Sequence, residues 1–73
     1  MKKYIVNTLL DLTYRENDEV KIAAIVALGE CDVDINDHAL NRLVILSKDS
    51  NKEVAVSSIN SLAKLSKTVK NLE

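Results

Sequence analysis

Apolar residues recur at helical spacing in four stretches of this chain, and short polar turns separate the stretches. In the first, Ile5, Leu9 and Leu12 form a stripe that Val6 and Leu10 widen, which predicts a helix over about Lys2–Tyr14. Arg15-Glu16-Asn17 makes a polar turn. The second stretch, D-E-V-K-I-A-A-I-V-A-L-G from Asp18 to Gly29, shows no strand-like alternation and holds only Lys21 as an internal charge. A helix this apolar around its circumference must be covered on more than one side, so it is expected at the centre of the fold. It is expected to start at Asp18 or Glu19, with Asp18 accepting from the first-turn amides, and to end near Glu30 or Cys31. Gly29 is expected to supply a left-handed exit.

Residues 32–37 form the longest connection, with Asn36 or Asp37 placed to cap the next helix. The third stretch predicts a helix over about His38–Lys48, with Leu40, Leu43, Val44 and either Leu46 or Ile45 pointing inward. After Asp49-Ser50-Asn51, a fourth helix runs from about Lys52 to Lys67 or beyond. It carries Val54, Ser58, Leu62 and Leu65 on one face.

The two halves superimpose at the offset that separates Val20 from Val54. Leu9 then meets Leu43, Leu12 meets Leu46, Asn17 meets Asn51, Glu19 meets Glu53, Ile25 meets Ile59 and Leu28 meets Leu62. The matches fall on helix faces and at the turn, which predicts two helical hairpins in tandem, one over 2–31 and one over 37–70.

L-x-x-L, a polar turn and then D-E-V-K-I-A-A-I-V-A-L-G-E resembles a HEAT-type repeat of the short bacterial and archaeal kind. That family's second helix reads V-R-x-x-A-x-x-x-L-G. Val20, Ala24, Leu28 and Gly29 match it, and Lys21 replaces the Arg. The second copy is degenerate, with Ala55 for the Arg, Ser58 for the Ala and Ala63 for the Gly. The resemblance implies an all-α, right-handed α-α superhelix of four helices in two antiparallel hairpins. It implies little about function, because such repeats serve many roles.

Composition agrees with helices and narrows the chemistry. Seventy-three residues with no Pro, no Phe, no Trp and one Gly leave a small aliphatic core as the source of stability. Ten basic against eleven acidic residues give near-neutrality, which weighs against nucleic acid as partner. One Cys excludes an internal disulfide and suits a reducing cytoplasm. Asn7 and Asp11 interrupt the first apolar run, which argues against a signal peptide, and no run approaches the ~20 residues of a membrane span.

Candidate sites are few. Asp32, Asp34 and Asn36 alternate like the opening of a calcium loop, but Asp37 stands where a Gly is needed and Leu43 where a bidentate Glu is needed. A linker with capping residues explains them. Cys31 and His38 are too few for a zinc site, and neither belongs to a catalytic pattern; Cys31 is expected to pack and His38 to face water. No nucleophile, base and oxyanion donor assemble from this inventory, so no enzyme, cofactor or metal is expected. Lys64, Lys67 and Lys70 recur every three residues and offer a basic stripe for nucleic acid or an acidic partner, although cations near a helix C-terminus also serve its dipole.

The remaining signal is hydrophobic. In the family's second helix the positions of Ile22 and Val26 are commonly polar and solvent-facing, and their counterparts in the second half are Val56 and Asn60. Second helices line the concave binding face of such a stack. Ile22, Val26, Val56 and Asn60 are therefore the expected contact residues for a protein partner or a second copy. Two units also fall short of the three that repeat stacks generally need, which leaves an apolar flank at each end and predicts a homo-oligomer or a docked subunit.

Overall fold

The computed structural model describes residues 3–31 and 36–68. They form four α-helices and no strand: α1 (Lys3–Leu12), α2 (Asp18–Leu28), α3 (Asp37–Leu46) and α4 (Lys52–Thr68). α1 packs on α2 and α3 on α4; across these pairs α2 lies along α4 and α1 along α3. α2 thus has neighbours on two sides, as its apolar circumference requires.

Each turn into a second helix is built by an asparagine. Asn17 has extended backbone angles, and its side chain accepts from the Val20 amide at 3.1 Å. Asn51 accepts from the Val54 amide at the same distance. Asn36 caps α3 by accepting from Ala39 N at 2.8 Å. The cap of α2 is therefore Asn17 and not Asp18, because only the residue three before Val20 can reach that amide. Asp18 is instead the first helical residue, where its charge suits the helix dipole. Its carboxylate lies 3.6 Å from Lys21 Nζ and accepts from Asn51 Nδ2 at 2.8 Å.

The hydrogen bonding repeats at the spacing seen in the sequence. Lys21 N donates to Asn17 O, and Ala55 N to Asn51 O, both at 3.0 Å. Thr13 Oγ1 donates to Leu10 O, and Ser47 Oγ to Val44 O, both at 2.6 Å. These hydroxyls close the last turns of α1 and α3. That is why α1 ends at Leu12 and α3 at Leu46, ahead of the polar runs themselves.

One core joins all four helices through Val6, Ile25, Leu28, Leu43, Val54 and Leu65 among others. Polar ties hold the pairs in register. Arg42 Nε donates to Thr13 Oγ1 at 3.1 Å and Nη2 to Thr13 O at 2.9 Å, while the guanidinium lies 3.8 Å from the centre of the Tyr14 ring. Buried Ser58 Oγ donates to Leu43 O, joining α4 to α3. Buried Ser61 Oγ donates to Ile25 O at 2.8 Å, joining α4 to α2. Short hydroxyl side chains let these backbones approach closely while leaving no buried side-chain polar atom unpaired among the described residues.

Two further expectations are corrected. Gly29 is not a left-handed exit: its φ of −65° and ψ of −17° are right-handed helical angles open to any residue. It is required for space, because a Cβ there would stand 2.6 Å from Ser61 Oγ, 2.9 Å from its Cβ and 3.1 Å from its Cα. In α3, Leu46 and not Ile45 turns inward, and Val44 is 44% exposed instead of buried. Among the described residues no helix covers that flank of α3, whereas the corresponding flank of α1, carrying Val6, lies under its neighbour.

Gly29→Ala is expected to destabilise the fold by about 1–3 kcal/mol through overpacking, exceeding the ~1 kcal/mol of helix propensity that Ala gains. Urea unfolding measures it, and a variant as stable as the parent would show that the helices have room between them. Arg42→Lys is expected to lose about 1–2 kcal/mol by the same assay, since one ammonium cannot reproduce the two-donor fork on Thr13 and the stacking on Tyr14 together.

Candidate functional site

α2 and α4 run side by side in the same direction. Asp18 meets Asn51 near their N-termini, Ile25 meets Ser61 further along, and Lys64 Nζ reaches Glu30 Oε2 at 2.7 Å past the end of α2. Contact partners thus lie about one repeat apart, and equivalent side chains stand next to one another across the junction. This is how Ile22 and Val56, equivalent positions of the two halves, come to line one open groove with Lys52, Glu53 and Ser57.

The groove holds about 650 Å³, a volume within the range of small-molecule sites. It is open to solvent and is not an enclosed cavity. Ile22 forms its floor, half-buried and packed against the core. Val56 forms a wall and is 46% exposed. One turn further along the same helices, Val26 is also 46% exposed and Asn60 faces solvent. Of the four expected contact residues, the structure brings Ile22 and Val56 into one groove and sets Val26 and Asn60 beyond it. Lys52 and Glu53 give the groove a rim of both charges. No histidine or cysteine lines it, and the arrangement favours holding an apolar side chain with a polar surround.

The basic stripe fares differently. Lys64 is engaged with Glu30, Lys67 is exposed on the last turn of α4, and Lys70 lies outside the described residues. Asp32 and Asp34 also lie outside them; among the described residues no three His, Cys, Asp or Glu side chains converge as metal ligands. Cys31 is buried in the core, its Sγ donating to Ala27 O at 3.3 Å, and His38 is exposed on the first turn of α3. No described helix is long and apolar enough to cross a membrane.

Sequence reasoning did not single out the largest exposed apolar residue of α4. Ile59 is 51% exposed, although its counterpart Ile25 is fully buried. A signal for it exists in the repeat: Ile59 carries the pattern of a position covered by a following helix, and no described helix follows α4.

Val26→Ser and Val56→Ser are each expected to change stability by no more than about 1 kcal/mol, as for surface positions, while Ile25→Ala is expected to cost about 2–5 kcal/mol. Chemical denaturation separates the two classes, and a core-sized loss at Val56 would show that the groove wall is structural. Comparison of the chain with protein-family models, with curated proteins and with solved structures finds no match.

Proposed function

We propose that this chain is a protein-interaction module, a small scaffold or adaptor of the HEAT-like kind. On this reading its two tandem hairpins, 2–31 and 37–70, stack with right-handed superhelical twist. The second-helix face, with Ile22, Val26, Val56 and Asn60, takes up a partner polypeptide in the cytoplasm, without catalysis or a cofactor. The observation that carries this reading is the open groove between α2 and α4, in which Ile22 and Val56 present apolar surface from equivalent positions of the two hairpins. Two further facts support it. Caps and turn bonds recur at the repeat spacing, and solvent-exposed valines on neighbouring turns have no structural need to be apolar. The alternative use of Lys64, Lys67 and Lys70 on an acidic partner loses support from the Lys64–Glu30 pair, which already neutralises one member.

Panning a random-peptide display library against the purified chain tests the proposal. The expected peptides carry an apolar anchor residue, and their affinity should fall at least tenfold for the helical double variant Ile22→Ser/Val56→Asp. Peptides that bind parent and double variant equally would place the binding face elsewhere.

A further inference from the structure

The contact between the two hairpins joins unlike faces, one from each hairpin, and both kinds of face recur on the open sides of the molecule. The first hairpin offers Val6 and Ile25 to the second, and both are fully buried. Their counterparts at the repeat offset, Leu40 and Ile59, are half-buried and 51% exposed; Val44, the counterpart of half-buried Leu10, is 44% exposed. The outer face of the second hairpin is therefore apolar where the inner face of the first is apolar. A stack that ends at such a face normally carries a polar cap there, and this flank carries none among the described residues.

The complementary half is present on the opposite flank. On the second hairpin Leu46, Val54 and Ser61 are buried. Their counterparts on the first are Leu12, Val20 and Ala27, which are only half-buried. Two of the three are identical residues, and the third is smaller. Charge repeats as well. Lys64 of the second hairpin pairs with Glu30 of the first. At a junction between copies stacked in the same register, Lys64 occupies the place of Glu30 and Glu30 the place of Lys64, so opposite charges face each other again. Ala63 then stands in the place of Gly29 opposite Ala27 in the place of Ser61. Ala27 lacks the hydroxyl that would crowd the added methyl but keeps the Cβ at 2.9 Å, so copies sit slightly further apart than the two hairpins of one chain.

We propose that a second copy of this chain stacks head-to-tail on the α3/α4 flank through its own α1/α2 flank, in the register the hairpins use within one chain. Such a contact does not close on itself, so copies add in an open series instead of stopping at a dimer. The stack uses Leu40, Val44 and Ile59 and leaves the floor of the groove at Ile22 free, so it stands or falls separately from the binding reading.

Sedimentation of the full chain from micromolar to millimolar concentration tests this. The weight-average mass is expected to rise past that of two chains. Ile59→Glu, which blocks one flank, and Ala27→Glu, which blocks the other, should each remain monomeric with an unchanged helical circular dichroism spectrum. Mixed in equal amounts, the two variants should form a heterodimer and nothing larger, because each retains the flank the other lacks. Val44→Glu and Ala23→Glu, at exposed positions of the same two flanks, replace any variant that loses its helical signal. A parent that stays monomeric throughout overturns the proposal. So does a dimer that stops at two chains and survives Ala27→Glu, which would mean that like faces meet.

Discussion

The fold depends on how closely α4 can approach α2. Gly29 contributes no side chain at the point where Ser61 arrives, and the hydroxyl of Ser61 donates to Ile25 O, a buried helical carbonyl. The approach brings the second hairpin against Ile25 and fixes the axial register that Asp18–Asn51 and Glu30–Lys64 share. A hairpin of two short helices has one apolar side and no means of burying it alone. The inter-hairpin contact therefore provides what neither hairpin has by itself, a second covering layer for α2.

Small residues are the means by which a chain without Phe or Trp reaches that density. Where a larger protein would fill its core with aromatics, this one packs small buried residues, Gly29, Ser58, Ser61, Ala24 and Ala39. Each serine is buried only because a carbonyl one helix away accepts its proton. An unpaired hydroxyl there would cost about 1–3 kcal/mol, a large share of what a domain of this size has in total. Arg42 acts similarly on the other layer, where its fork reaches buried Thr13 at the turn after α1 and its plane covers Tyr14.

Much of this is legible in the sequence, and the rest is hidden for physical reasons. The four helices, the central place of α2 and the equivalence of the turns follow from periodicity and an internal match, since both halves carry the same asparagine at the same point. Gly29 misleads because glycine signals both backbone freedom and absence of bulk, and only the position of Ser61 tells which is in use. Val44 misleads for a related reason. A helical stripe reports which residues are apolar, and whether a neighbour arrives to cover them is a property of the whole stack. Ile22 and Val56 are legible as a candidate pair through their offset; that they share one groove requires the parallel alignment of α2 and α4.

Equivalent positions thus meet different surroundings. α2 and α4 follow one pattern, yet their buried arcs differ: α2 buries Ala24, Ile25 and Leu28, while α4 buries Val54, Ser58, Ser61 and Leu65 and exposes Ile59. Position 25 and position 59 hold the same residue, and only the presence of a covering helix separates full burial from half exposure. A flank under pressure only to stay soluble would carry a charge at position 59, at a helix position where Lys or Glu costs almost nothing. On that flank Leu40, Val44 and Ala63 differ from their counterparts yet stay apolar, whereas Ser58 and Ser61, in the places of Ala24 and Ala27, serve contacts with α3 and α2. The second hairpin thus carries its serines on its inward faces, while its outward flank keeps Val44 and Ile59 apolar and exposed.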